Sequence, residues 1–279
     1  MGCISDDFFG KCMKARAEED GLKCEYMIDK NVPTGICSVL ITDSGKNRTL
    51  VADLAAANHF KKDFLISNWS NVEQARICYA TGFHLTVCPE AELEVAKYCS
   101  SQNDKIFAFN LSAEFLMLAF GNEVDKVSPY ANLIFGNETE SQAYANLRKW
   151  ETKDQVEIAR RIASETRANE HKPRISVLTQ GSDPVVVAYG LPKNESPELE
   201  ERVKVFHIEV PLLKKEDIID TNGAGDAFVG GFLGRLVLNG YDLSERSVRE
   251  CVRVGIYCAR EIIMQDGMSI PLHDVNVDF

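Results

Sequence analysis

Asp220–Leu236 reads DTNGAGDAFVGGFLGRL, a glycine-rich turn that delivers one carboxylate, Asp226, to the start of a helix. Gly223 and Gly225 can take backbone conformations closed to other residues, so several N–H groups can converge on one point and form a nest for an anion. Beyond the turn, Phe228, Val229, Phe232, Leu233, Leu236 and Val237 recur at helical spacing. The free N–H groups and positive dipole end of that helix face the same spot. A carboxylate beside an anion hole repels the anion unless it takes a proton from a nucleophile attacking it, which makes Asp226 a candidate general base. Asp is also favoured at helix starts, so the motif alone is equally compatible with Asp226 as a helix cap.

Outward from this segment, helical patterns alternate with short apolar runs, the signature of an α/β fold with a parallel sheet covered by helices on both faces. Strands are expected at Ile77–Ala80, Ile106–Asn110, Ala131–Phe135 and Ile175–Thr179. Helices are expected at Glu90–Cys99, Thr139–Leu147, Lys153–Ala168 and Ser244–Ile263. Val185–Tyr189 and Val203–Ile208 flank the polar loop LPKNESPELEE, as in a hairpin with an exposed tip. Gly35–Ile41 and Arg48–Leu54 are β-prone runs joined by TDSGKN and predict a second hairpin, which could act as a lid or merely decorate an edge. Near the start, Asp6, Asp7, Phe8 and Phe9 head a helix running to Glu19, with no strand expected before it.

The chain has 279 residues, 45% of them hydrophobic and 26% charged, enough to bury a large core in one big α/β domain or two smaller ones. A net charge of −11 argues against a broad nucleic-acid or membrane footprint, since either needs a basic face. No apolar run is long enough to span a bilayer and MGCISDD lacks a signal-peptide core, so a soluble cytoplasmic protein is expected, the nucleus being open to it as well. Asp6 stands where a myristoylation pattern following Gly2 wants Ser or Thr. The nine cysteines include no CxxC pair, and the five histidines never fall at metal-ligand spacing. Reduced thiols and no zinc site are the expectation. No GxxxxGK[ST] occurs, which disfavours a P-loop nucleotide enzyme.

FGNETE, TQG and DTNGAGD each follow an apolar run, where open α/β sheets place their ligands. In the first, Asn137 and Glu140 at a strand-to-helix junction read either as a phosphate brace and a holder of water on Mg²⁺, or as a helix start with an acidic first turn. TQG reads as a tight turn that lets backbone approach a nucleotide, though any β-turn can be written so.

Together these residues resemble the ribokinase-like carbohydrate and nucleoside kinases, the pfkB family. The matching segments run in the family's order along nearly the whole chain: GCISDDFFG, PTGIC, NRTLVADLAAAN, GFHLTVCPE, NLSAEF, FGNETE, TQG and DTNGAGDAFVGGF. GAGD and Asn-x-x-Glu identify the superfamily, whereas LAAAN, NLSAEF and FGNETE resemble its adenosine kinases. The resemblance implies a three-layer α/β/α sandwich with a mostly parallel sheet, one kinase domain over 1–279 and a small β lid inserted at about 24–58. It implies ATP-dependent phosphorylation of adenosine, with Mg²⁺, by a monomer working in purine salvage. Asp226 would deprotonate the 5′-hydroxyl, and the Gly223, Ala224 and Gly225 amides would hold the transferred phosphoryl group. Asn222 would contact the ribose and Arg48 would be the lid arginine that reaches the phosphates. Cys37, Leu50, Ala52 and Leu54 would line an apolar slot for the purine, with Phe115 stacking on it. His84 would stand in the base pocket where adenosine kinases tend to carry an aromatic ring. Asn137 and Glu140 would organise Mg²⁺ through water, and Thr179 and Gly181 would border the ATP site.

Family members open with an NPLLD-like strand and a GGSTQN-like turn that clamp the ribose hydroxyls. Neither occurs here, so central strands and half of the ribose clamp are expected to be missing, as in a truncated isoform or incomplete gene model. Two rivals to adenosine phosphorylation stay open: a related sugar kinase acting on ribose or fructose, and a truncated chain that is an inactive binding or regulatory form or does not fold stably.

Overall fold

The computed structural model describes residues 1–42, 47–192 and 202–267, so residues 43–46 of the TDSGKN turn and most of the LPKNESPELEE tip lie outside the described residues. The chain begins with β1 (Gly2–Ser5), α1 (Phe8–Glu19), β2 (Tyr26–Asp29), β3 (Ile36–Thr42), β4 (Asn47–Asp53), α2 (Lys62–Ser67) and α3 (Trp69–Gln74). It continues through β5 (Ile77–Thr81), α4 (Pro89–Ser101), β6 (Ile106–Asn110), α5 (Glu114–Ala119), α6 (Gly121–Val127), β7 (Leu133–Asn137), α7 (Glu138–Leu147) and α8 (Gln155–Ser164). It closes with β8 (Arg174–Gln180), β9 (Asp183–Gly190), β10 (Val203–Ile208), α9 (Ala224–Leu238) and α10 (Glu245–Ile263).

Six strands form the main sheet in the order β10-β9-β8-β7-β6-β5. β5, β6, β7 and β8 run parallel, and β9 runs antiparallel to β8 on one side and to β10 on the other, the latter pair being the expected hairpin. Strand residues point alternately to opposite faces, and both faces are apolar. Phe107, Phe109, Ile134, Leu178 and Val186 pack into one core with Tyr144, Ile158 and Ile162 from α7 and α8. Ala108, Leu133, Phe135, Val177 and Val187 pack into another with Phe228, Phe232, Val248 and Val252 from α9 and α10. This is the expected α/β sandwich. Among the described residues, no helix is long and apolar enough to cross a membrane.

Three details depart from the sequence reading. A strand does precede α1: β1 pairs in parallel with β2 as a small separate sheet. Its turn into the helix is tied to the PTGIC segment, because Asp7 accepts the Gly10 N–H at 2.8 Å, the Thr34 N–H at 2.8 Å and the Thr34 hydroxyl at 2.6 Å. Those bonds, the Thr34 hydroxyl first, hold the Asp7 carboxyl down at about 2. The helix expected over Lys153–Ala168 spans only Gln155–Ser164, since Asp154 caps it through the Val156 N–H and Glu165 turns extended to meet Arg148 and Tyr144, each at 2.6 Å. β7 starts and ends two residues later than expected, bringing Asn137 to its carboxyl end.

The second expected hairpin is present as β3 and β4, a two-stranded antiparallel sheet apart from the main one. Cys37 lies opposite Ala52 and Val39 opposite Leu50, so Cys37, Leu50 and Ala52 share one face.

Helix α9 is seated by glycines as much as by side chains. A Cβ on Gly255 of α10 would stand 2.8 Å from the Phe228 carbonyl oxygen, and one on Gly231 would stand 2.7 Å from Cys258 Sγ. Phe228 is backbone to this contact and cannot rotate away, so Gly255→Ala must part α9 from α10. Thermal unfolding should show a loss of about 1–3 kcal/mol, together with reduced activity at the α9 terminus; an unchanged melting temperature would contradict this packing.

Candidate active site

The carboxyl ends of β5 to β8 and the first turn of α9 enclose a cavity of about 410 Å³. Asp226, Ala224 and Gly225 line it from α9, Asn137 and Glu140 from the β7–α7 junction, and Thr179 and Gly181 from the β8–β9 turn. Motifs as far apart in sequence as Asn137 and Asp226 thus line one cavity, as their positions at strand ends and a helix start require.

Gly223 precedes α9 with φ of +73°, a left-handed conformation that an L side chain resists. The turn swings the chain so that the helix starts with its amides toward the cavity. Ala224 N–H lies a long 3.5 Å from the Thr221 carbonyl, and the N–H groups of Gly225 and Asp226 meet no acceptor among the described residues. No side chain caps this helix, so Asp226 is not spent as a cap. Its carboxylate is exposed beside open amides, which is the arrangement a general base needs and a cap does not. Asn222 lies just outside the cavity lining, its N–H and side-chain amide bonded to Asp220 at 2.9 and 3.2 Å.

At the β7–α7 junction the helix-start reading of the sequence is correct in its geometry. Asn137 Oδ1 accepts the Thr139 and Glu140 N–H groups at 3.0 and 2.9 Å, while Glu140 accepts the Asn137 N–H at 3.1 Å and its side-chain amide at 2.7 Å. This capping box fixes Glu140 as a buried carboxylate on the cavity wall. Burial pushes its pKa up, the Asn137 N–H pulls it down, and the nearby charges of Glu138 and Asp226 raise it further. Several acidic groups therefore feel one another across the cavity. On the third wall, Gly181 turns with φ of +58° and the Thr179 hydroxyl faces the Gly136 carbonyl at 3.4 Å.

The remaining expected residues are not gathered here. Cys37, Leu50, Ala52 and Leu54 are exposed on or just after the β3–β4 hairpin, and the side chain of Arg48 lies outside the described residues. His84 lines a different cavity and packs edge-on against Phe60 at 5.2 Å. Phe115 is half exposed beside Phe83, ring centroids 6.2 Å apart, and it is Phe83 that lines the cavity with Asp226. Sequence reasoning missed Phe83, Asn110 and Ser112. Ser112 holds φ of +63°, accepts the Gly82 N–H at 3.0 Å and donates to the Asn110 carbonyl at 3.1 Å, locking the β6 end to the β5 end. The NLSAEF segment contained this signal, since Asn and Ser after a strand are turn-forming residues.

A fold with a GAGD-type anion turn at the carboxyl ends of a mainly parallel sheet defines a phosphotransferase class, and residues 1–275 match the model for the pfkB family carbohydrate kinases. The chain belongs to that family. Among its relatives is adenosine kinase 2 of Arabidopsis thaliana, 40% identical over 273 residues that cover 97% of this chain and 73% of the relative. An Anopheles gambiae adenosine kinase solved with P1,P4-di(adenosine-5) tetraphosphate superposes with a TM-score of 0.85 at 37% identity, over 95% of this chain and 73% of that one. A Schistosoma mansoni adenosine kinase solved with 2-fluoroadenosine gives 0.82 at 32% identity, over 97% and 74%.

The two motif glycines separate by substitution. Gly223→Ala should cost about 1–2 kcal/mol in thermal unfolding because of its positive φ. A Cβ on Gly225 meets no atom within 4 Å, so Gly225→Ala should leave stability equal or slightly raised while its methyl crowds the anion nest. A Gly225→Ala protein that binds nucleotide as well as the parent would remove Gly225 from that nest.

Proposed function

We propose that this protein phosphorylates adenosine at its 5′-hydroxyl with ATP, giving AMP and ADP. The observation that carries this reading is the uncapped first turn of α9, where an exposed carboxylate stands beside amides without acceptors. The 5′-hydroxyl approaches Asp226, which takes its proton as the oxygen attacks the γ-phosphorus; the bond to ADP breaks in line with that attack. Charge building on the transferred phosphoryl is met by the Gly223, Ala224 and Gly225 amides, which need no reorganisation because the turn already aims them. Asn222 reaches the ribose once substrate competes for its bonds to Asp220. Thr179 and Gly181 border the ATP.

Among the described residues no group of three acidic, His or Cys side chains could cage a metal ion. That fits Mg²⁺, which keeps most of its waters and binds through one or two carboxylates plus substrate phosphates. Glu140 would hold it through water, with Asn137 fixing the carboxylate, and the ion would supply charge neutralisation between the phosphates. The mutual repulsion of Glu140, Glu138 and Asp226 favours a cation there.

The β3–β4 hairpin supplies the lid. Its exposed Cys37, Leu50 and Ala52 on one face, with Leu54 at its foot, give an apolar surface that can close over a purine, with Arg48 on the same strand as Leu50. Phe115 and its neighbour Phe83 would meet the base from the sheet side. In this reading the enzyme works as a cytoplasmic monomer in purine salvage, as the family resemblance implies.

A coupled assay of ADP release should show turnover on adenosine and none above background on ribose; activity on the sugar alone would overturn the substrate. Asp226→Asn should lower kcat by roughly 10²–10⁴ with the fold intact, the loss expected of a general base. Glu140→Gln keeps a carbonyl acceptor for the cap yet loses the charge, so the Mg²⁺ concentration for half-maximal turnover should rise about 10–100-fold. An unchanged Mg²⁺ dependence would release Glu140 from the metal.

A further inference from the structure

β6 ends at Asn110, in register with Thr81 of β5 and Phe135 of β7. Asn110 lines the Asp226 cavity from the strand that lies between the one leading to Phe83 and the one leading to Asn137 and Glu140. The main chain beyond it has no donor to spare. The Leu111 N–H donates to the Phe135 carbonyl at 2.9 Å, the Ala113 N–H to the Leu111 carbonyl at 2.7 Å, and the Ser112 N–H to Asn110 Oδ1 at 3.1 Å. The Ser112 hydroxyl is spent too, on the Asn110 carbonyl and the Gly82 N–H. Any hydrogen bond that this strand end donates to a ligand therefore comes from the Asn110 side chain.

That side chain is held at both of its branches. A backbone N–H can be met only by an acceptor, so the Ser112 bond fixes which branch of the amide is oxygen. The nitrogen branch then faces Tyr79 of β5 and donates to its hydroxyl at 3.1 Å, and the second N–H of Nδ2 has no acceptor among the described residues. Burial raises the Tyr79 hydroxyl, the Asn110 bond lowers it, and the charges of Asp226 and Glu140 raise it further, so Tyr79 stays protonated within electrostatic reach of both cavity acids. Ser112, which closes the turn, keeps φ of +63°. Strained backbone of this kind persists where its surroundings over-determine it, commonly at ligand sites. Among the described residues lining the cavity, the charged side chains are Glu138, Glu140 and Asp226, all carboxylates. A fixed amide with a free N–H offers an anion what those side chains cannot.

We propose that Asn110 is a substrate-contacting residue that donates its free N–H to an oxygen of the ATP γ-phosphoryl group, with Tyr79 as the positioning residue that holds the amide in place. The inference rests on the phosphotransfer reading above and adds to the main-chain donors of α9 a side-chain donor from the sheet. The neighbours of β6 give it this place: Phe83 follows β5 on the side of the base, and Asn137 and Glu140 follow β7 on the side of the metal.

The test compares the whole chain with its Asn110→Asp and Tyr79→Phe variants. Aspartate keeps an acceptor for the Ser112 N–H and can accept the Tyr79 proton, so Asn110→Asp should melt close to the parent. Calorimetric titrations with β,γ-imido ATP and with ADP, each with Mg²⁺, read the contact. Affinity for the ATP analogue should fall about 10–100-fold in Asn110→Asp, as expected when a hydrogen bond to a charged group is lost, while ADP, which has no γ-phosphoryl, should bind as before. Tyr79→Phe keeps the ring and removes the acceptor, so kcat on adenosine should fall about 2–10-fold with KM for adenosine unchanged. In the Asn110→Asp background the same substitution should cost nothing further, because the two residues act as one. Equal binding of the analogue by Asn110→Asp and the parent, equal weakening of ADP and the analogue, or a full Tyr79→Phe cost in the double variant would overturn the assignment. A parent that turns over no adenosine counts against the proposed substrate alone, since the nucleotide titrations decide Asn110 without it.

Discussion

The close seating of α9 against α10 and the sheet is the constraint on which the site depends. Phe232 meets Phe135 of β7 edge-on at 5.1 Å, Phe228 lies against Gly255, and Gly231 admits Cys258. With the helix axis held this way, its first turn can only open toward the strand ends. The left-handed Gly223 then completes the aim by turning the incoming chain away from the amides. A helix N-terminus carries its partial positive charge within that first turn, so small changes in seating would move the strongest attraction in the cavity.

Electrostatics in the cavity pull in opposite directions. The α9 amides favour an anion, while Asp226, Glu138 and Glu140 disfavour one; the Glu140 carboxyl is raised first by burial and further by the charges of Glu138 and Asp226. In the proposed reaction the conflict would be resolved by a phosphate arriving with its own cation and by a proton leaving a hydroxyl for Asp226. Asn137 serves this balance at one remove: it is fully used in capping α7, and by that use it fixes where the Glu140 carboxylate points. The residue that starts the helix is also one that lines the cavity, because the helix starts at the cavity.

The far side of β5 has the opposite character. There the walls are largely apolar around the buried Glu92, with the exposed Lys23 and the half-buried Glu25 at the opposite wall. His84 belongs to this side, which accounts for its packing against Phe60 instead of the Asp226 cavity. Thr81 lines both cavities, so β5 is the partition between them.

Much of the fold was legible in the residues. Apolar runs of strand length and helical periodicities depend on local spacing, so β5, β6, β8, α4, α7 and α10 lie within a few residues of their expected bounds. Missed elements were short or held by distant partners: β1 needs β2 to exist, and α8 ends early because Glu165 is drawn to Arg148. At the site, the sequence alone determined which turns could bear chemistry, since glycines before a helix and Asn-x-x-Glu at a junction have few backbone solutions. Whether Asp226 capped its helix, and which of Phe83 and His84 faced the cavity, were decided only by the tertiary structure. Those outcomes rest on which face of a turn meets which strand, and that is set by packing between segments far apart in the chain.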